Sequence, residues 1–320
     1  MLATSFFISW LDGIKPFIEQ DTYETYSICF HKHIIPYFDV MNLSIEEIHP
    51  IHIKNFVTLK LNGGRCDNKS GGLGKAMVRK LLCLLKQCLN EAESLEIISH
   101  NPARSIKMPR TELVCKEAVF LSAEEARIML NAFENSIYKI PVSLALKYGL
   151  RRSEVLGLKW SAIDFNANTI EICHTVVKNL TTECKDKTKT QSSHRKFEMT
   201  TDVKRLLLLH REKLLEKQRN DPQYILSDYI CVNNNGMLLR PDSLTRGFQR
   251  VLKKNKLNHM RFHDLRHSTA SILYDSGMQA KEVQEYLGHS DIETTLNIYT
   301  HLSRGRKTIA TEAMNALIQI

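Results

Sequence analysis

No apolar stretch in these 320 residues approaches the roughly 18 needed to cross a bilayer, which removes membrane transport and anchoring from the functions to consider. The apolar opening from Met1 to Trp10 lacks a basic start and soon meets Asp12, so it does not read as a secretory leader, and a cytoplasmic protein is expected. The eight cysteines form no Cys-x-x-Cys pair, so neither a zinc site nor a disulfide framework is expected, and the thiols read as reduced and mostly buried. Five glycines between Asn62 and Gly74 suggest a phosphate-cradling loop, yet the Walker spacing fails. No glycine stands five before Gly74, Ala76 occupies the place of the magnesium-holding hydroxyl, and Gly72-x-Gly74 has no third glycine. The segment reads as a mobile loop, and no metal or nucleotide cofactor is expected.

What is present begins with charge. A formal charge of +9 points to an anionic partner, nucleic acid before anionic lipid. It is unevenly spread: residues 1–110 hold 13 Lys and Arg against 11 Asp and Glu, a balance of +2, and the remainder of the chain carries +7. Hydrophobic residues at 43% and charged residues at 25% are ordinary for a globular protein, and the length suits two domains.

The first third reads as helical. Phe7, Trp10, Leu11, Ile14 and Phe17 recur at helical spacing. A second helix runs from Tyr23 to Ile35, where Pro36 is expected to stop it, and a third spans Ile51 to Leu61. From Lys75 to Glu93 an apolar stripe of Val78, Leu81, Leu82, Leu85, Leu89 and Ala92 is accompanied by Lys75, Arg79 and Lys86, expected opposite the buried face and against DNA phosphates. Asn101 to Lys116 lacks helical periodicity, is basic, holds two prolines and reads as an extended linker. The expected division is a helical DNA-binding domain over 1–110, a linker over 111–118 and a second domain over 119–320.

The second domain opens at Ser122 with Glu125 three residues on, the form of a capping box. A helix near Pro141 to Tyr148 ends at Gly149, and another begins at Arg151, placing that arginine just past a glycine turn. Thr169–Cys173, Thr175–Lys178 and Arg195–Met199 alternate as strands, with the lysine-rich turn Lys185 to Ser193 expected between the last two. Helices resume over Asp202–Gln218 and, after a strand at Tyr229–Val232, over Pro241–Lys254. The fold class expected is α+β, mostly α, with a small antiparallel sheet. In the run Phe262–Ser276, His263 and Arg266 stand three apart on one helical face. Ala280–Leu287 follows, ended by Gly288, and leaves His289 on the connection to a helix carrying Tyr299.

Gly149-Leu150-Arg151 with Glu154, the lysine hairpin, His263-Asp264-Leu265-Arg266-His267, Leu287-Gly288-His289-Ser290 and Ile298-Tyr299-Thr300-His301, in that order, resemble the tyrosine recombinase (phage integrase) family over nearly the whole chain. The resemblance implies a helical core-binding, SAM-like domain and a mixed catalytic domain forming a C-shaped DNA clamp. It implies site-specific cleavage and rejoining of DNA through a 3′-phosphotyrosine, integrating or excising a phage or conjugative element. By the same resemblance Tyr299 is the nucleophile, Arg151 and Arg266 hold the scissile phosphate, Lys189 protonates the 5′ leaving oxygen, and His263 and His289 handle protons or hydrogen-bond. The lysine is ambiguous, since Asp186-Lys187-Thr188-Lys189-Thr190 offers two and no proline precedes either; Lys189 is preferred for its spacing to Arg195 and Phe197. The partners implied are double-stranded DNA at attachment sites, three further copies in a homotetramer assembled through the C-terminal tail, and an excisionase or DNA-bending host factor, all at the nucleoid. An arm-binding domain of the kind many integrases carry has no counterpart before Ser5. The alternatives kept open are a catalytically silent DNA-binding relative and a type IB topoisomerase-like enzyme.

The chemistry suits the residue types. In-line attack on a phosphodiester builds charge on its non-bridging oxygens, and guanidinium forks match that geometry better than ammonium groups. A phenol of ordinary pKa about 10 is only about 0.1% ionised at pH 7, so the site must supply about 4 kcal/mol of phenolate stabilisation or a nearby base.

Overall fold

The computed structural model describes residues 1–66, 70–109, 120–178, 182–185 and 195–288. Two compact units divide the chain, Met1–Cys115 and Lys116–Ile320, each with its own apolar core. Among the described residues, no helix is long and apolar enough to cross a membrane.

In the first unit α1 (Ala3–Ile14) buries Ala3, Phe6, Phe7, Trp10 and Leu11, one face of a 3.6-residue period. α2 (Gln20–Cys29) does not end at Pro36 as the sequence predicts: it runs through a π turn, Phe30–Ile34, into α3 (Ile35–Met41). The Ile35 N–H reaches back five residues to the Phe30 carbonyl, and the proline falls in the first turn of the new helix, where its missing N–H costs nothing. The continuation keeps Phe30 and Phe38 edge-on to Phe7 with ring centres 5.8 and 5.4 Å apart. α4 (Pro50–Asn62) and α5 (Lys75–Ser94) complete the bundle, and in α5 Leu81, Leu85 and Leu89 are fully buried, each contributing on the order of 2 kcal/mol.

The basic stretch after α5 is not extended at its start. Asn101 is buried and donates to the Lys86 carbonyl and to Asn90, while its own Oδ1 accepts from the Ala103 N–H at 2.8 Å. One amide thus holds residues 101–104, Pro102 included, in turns against α5. The expected 111–118 linker lies outside the described residues.

The second unit begins with α6 (Ala123–Ala132), whose capping box forms: Ser122 Oγ accepts from the Glu125 N–H, and Glu125 accepts from the Ser122 N–H. α7 (Lys139–Tyr148) is buried on nearly every side and forms the centre of the unit. Gly149 ends it in the left-handed region at φ 61°, and α8 (Arg152–Gly157) starts three residues later. The β-structure differs from expectation. β1 (Ile163–Asp164), β2 (Thr169–Ile172) and β5 (Arg195–Glu198) form one antiparallel sheet in the order β1-β2-β5, with Ile170 opposite Phe197 and Ile172 opposite Arg195. β3 (Thr175–Lys178) pairs instead with β4 (Thr182–Lys185) in a separate hairpin. The expected lysine turn therefore begins within a strand, and β5 returns to β2, a long-range pairing that local alternation does not encode. Tyr229 and Val232 form isolated bridges and not a strand.

α9 (Thr201–Asn220), α10 (Pro241–Lys254), α11 (Asp264–Asp275) and α12 (Ala280–Leu287) follow. α11 is fastened to α7 by Thr269, whose hydroxyl lies within hydrogen-bonding reach of the Ala145, Leu146 and Leu265 carbonyls. A β-carbon added at Gly149 would lie 2.2 Å from Leu287 of α12, so this turn admits only glycine on both conformational and steric grounds. Gly149→Ala is expected to lower stability by at least about 1–2 kcal/mol, read as a fall in the urea midpoint at unchanged slope.

Candidate active site

The ends of α7, α11 and α12 meet around three arginines and one carboxylate. Arg266 is 1% exposed. Its guanidinium donates to the Gly149 carbonyl and to the Leu287 carbonyl, both at 2.7 Å. Arg151, at the cap of α8, donates to the next carbonyl along, that of Gly288, at 3.1 Å. Two guanidiniums are thereby tied to consecutive residues at the end of α12. The glycines explain why: each closes a helix in a left-handed turn and leaves nearby carbonyls free to accept.

Glu154 lies beneath Arg151, also 1% exposed. It accepts from the Arg151 backbone N–H at 2.8 Å and from the Arg151 guanidinium at 2.7 Å, so the first turn of α8 fixes the direction of the arginine. Its second oxygen also accepts from Arg195, at the start of β5, at 2.8 Å. Burial works to raise the Glu154 carboxyl, but Arg195 and then Arg151 outweigh it and hold the group below its ordinary value, so it is ionised. Arg266 is lowered to about 9 by burial and by the positive charge of Arg151, and it remains protonated at neutral pH. Its partners named above are neutral carbonyls, which satisfy its donors without cancelling its charge.

His263 stands at the entry of α11, exposed to solvent where Arg266 is buried, because the first helical turn carries one outward and the other into the core. Its ring meets that of His267 edge-on at 4.9 Å. Although part of its surface reaches solvent, the ring is packed closely enough among its neighbours that loss of hydration, then the influence of His267, Arg266 and Arg151, brings its pKa down to about 4, with Asp264 acting the other way. Asp264 itself is held by Arg261, through the backbone N–H at 2.7 Å and the guanidinium at 2.8 Å. His263 is therefore a neutral imidazole able to take a proton.

Of the residues singled out in the sequence, Arg151, His263 and Arg266 come together. Lys189 with its rival Lys187, His289 and Tyr299 lie outside the described residues. Lys75, Arg79 and Lys86 lie on α5 in the other unit. They share a flank with buried Leu82 and Leu89 and so border the apolar face, where the sequence reading had them opposite it. Arg79 is exposed, whereas Lys86 directs its ammonium to the Arg104 carbonyl at 3.3 Å. The sequence reading missed Arg195. Its only local signal was a lone arginine opening a strand after a lysine-rich stretch, and its partner Glu154 lies 41 residues away.

Residues 119–306 match the phage integrase family, and residues 4–61 match the phage integrase N-terminal SAM-like domain. The chain belongs to the phage integrase family of tyrosine recombinases. It is thus an enzyme of site-specific DNA recombination. Among its relatives are a XerC-like tyrosine recombinase of Caldanaerobacter subterraneus subsp. tengcongensis, 30% identical over 77% of this chain and 67% of that protein. Another is the ICEBs1 integrase of Bacillus subtilis, 25% identical over 92% of this chain and 78% of that one. Among solved structures, the Tn1549 transposon integrase in complex with a circular intermediate DNA superposes with a TM-score of 0.74 at 19% identity, covering 93% of this chain and 94% of that one. A lambda integrase dimer bound to a core site gives 0.68 at 16% identity, covering 93% and 77%. At these identities the structural likeness establishes the shared fold.

For this integrase-family site the titration of His263 is a direct check. Because its folded pKa lies below 6.5, the folded protein binds fewer protons than the unfolded chain between pH 6.5 and about 4, so stability is full above that window and falls as pH drops through it. Ring resonances of His263 in the DNA-free protein should titrate near 4, and His263→Asn should flatten the acid limb of the stability curve; a midpoint near 6.5 would contradict the arrangement.

Proposed function

We infer that this recombinase cleaves and rejoins duplex DNA by transferring the 3′ side of the scissile phosphate to the phenolic oxygen of Tyr299. Arg151 and Arg266 hold the non-bridging oxygens, His263 accepts the phenolic proton once the bound phosphate offsets the cations that depress its basicity in the free protein, His289 hydrogen-bonds the phosphate, and Lys189 delivers a proton to the departing 5′ oxygen. The phosphorus–oxygen bond to the 5′ side breaks as the one to tyrosine forms. The phosphotyrosine conserves the bond, and attack by the 5′ hydroxyl of a partner strand reverses it without ATP.

The observation that carries this reading is that buried Arg266 and half-buried Arg151 are tied to the Leu287 and Gly288 carbonyls, directly before His289 in the chain. A buried cation whose named partners are neutral carbonyls, as Arg266 is, retains its charge for an incoming anion. In the amino-terminal unit, Lys75, Arg79 and Lys86 are read as contacts to duplex phosphates. The substrate class is the attachment DNA of a phage, transposon or conjugative element, acted on at the nucleoid.

Four copies are required to process two duplexes. The sequence after Tyr299 carries Ala310, Ala313, Met314 and Leu317 at helical spacing, an apolar stripe suited to dock on a neighbouring copy. An excisionase or DNA-bending host factor would then set the direction of the reaction.

With a nicked suicide duplex carrying the attachment sequence that flanks the gene, the full chain is expected to form a covalent adduct resistant to denaturation. Tyr299→Phe should give none, and Lys189→Ala should lower the rate about 100-fold or more while Lys187→Ala changes it little. Full adduct yield from Tyr299→Phe would overturn the assignment, and the reverse order of the two lysine variants would transfer the acid role to Lys187. Deleting residues 304–320 should weaken assembly of the synaptic complex, seen by native gel or light scattering, while leaving binding to a single half-site intact.

A further inference from the structure

We propose that Arg195 is a positioning residue for the phosphate clamp: its guanidinium neutralises Glu154, so that the carboxylate can aim Arg151 without cancelling its charge. The inference rests on the roles given above to Arg151 and Tyr299.

Three features of the site lead to it. Glu154 is shared, with one oxygen on the Arg151 guanidinium at 2.7 Å and the other on both the Arg151 backbone N–H and Arg195 at 2.8 Å. A buried carboxylate paired to Arg151 alone would leave that pair neutral, and the clamp would hold only the charge of Arg266. With Arg195 present, three guanidiniums face one carboxylate and two positive charges remain. In-line attack by a phenolate on a phosphodiester passes through a species carrying two negative charges, so the surplus matches the transition state and exceeds what the ground-state monoanion needs.

Secondly, the Arg195 side chain is 9% exposed, yet Nε and Nη1 have no acceptor among the described residues. Unmet buried donors are costly. An arginine serving only to saturate local hydrogen bonds would not leave two of its donors unmet, so what the position uses is the charge. Thirdly, β5 is anchored independently of the site, by its register with β2 and by Phe197, which packs on Tyr148 and Tyr286 with ring centres 5.1 and 5.2 Å away. The guanidinium lies over the Phe197 ring at 5.5 Å. The sheet therefore holds the compensating charge in place before any DNA arrives.

The test compares adduct formation on the nicked duplex by the wild-type chain, Arg195→Gln, Arg195→Lys, Glu154→Gln and the double variant Glu154→Gln/Arg195→Gln, with thermal melts run alongside. Arg195→Gln should lower the single-turnover rate at saturating DNA about 100-fold with little change in DNA affinity, and Arg195→Lys should recover most of it. Once Glu154 is uncharged there is nothing left to neutralise, so adding Arg195→Gln to Glu154→Gln should cost no more than about two-fold. Losses that multiply independently would overturn the proposal. A second arm needs only the Arg195 variants. Replacing the scissile phosphate by an uncharged methylphosphonate should penalise Arg195→Gln at least about ten-fold less than the wild type, because the clamp of the variant has less charge to offer. Equal penalties would also overturn it. An inactive wild-type chain, or full adduct from Tyr299→Phe, sinks the proposed reaction itself; an active wild type with an equally active Arg195→Gln sinks this inference alone.

Discussion

A guanidinium sealed in a protein interior and bonded to peptide carbonyls is the constraint from which the catalytic unit takes its form. Arg266 is nearly inaccessible, and the cost of removing an ion from water is met by the Gly149 and Leu287 carbonyls. Those two oxygens come from the ends of α7 and α12, so one side chain on α11 gathers three helices. The arrangement holds only if both helices end where they do. Gly149 and Gly288 supply the left-handed turns, and the crowding at Gly149 leaves no room for a side chain.

The same constraint has an electrostatic consequence. Placing Arg151 and Arg195 near a buried cation is unfavourable in isolation, and the lowered pKa of Arg266, about 9, registers the repulsion together with the burial. Glu154 offsets part of it by binding Arg151 and Arg195 at once. The remaining surplus is carried unrelieved by the folded protein itself, as in many active sites that hold stability in reserve for function. His263 is likewise kept neutral, by burial first and then by the charges of neighbours that include Arg266 and Arg151.

The sequence showed a good part of this. The capping box at Ser122, the ends of α7 and α12, and the full extents of α10 and α12 follow from local signals, because caps and glycine turns act within four or five residues. Arg151, His263 and Arg266 were recognisable as a set from the order of their motifs. Where local signals misled, a neighbour outvoted them. Pro36 is absorbed by a π turn because Phe30 and Phe38 both pack on Phe7, and residues 101–104 curl because Asn101 is captured by α5.

By itself, then, the sequence determined where α7 and α12 stop, the extents of α10 and α12, and that two arginines and a histidine belong to one ordered set. Only the tertiary structure decided that β5 returns to β2, that Arg266 faces inward while His263 faces out, and that Arg195 meets Glu154. The reason is range: a helix end is fixed by the hydrogen bonds of one turn, whereas a salt bridge spanning 41 residues exists only after the sheet and the helices between have packed.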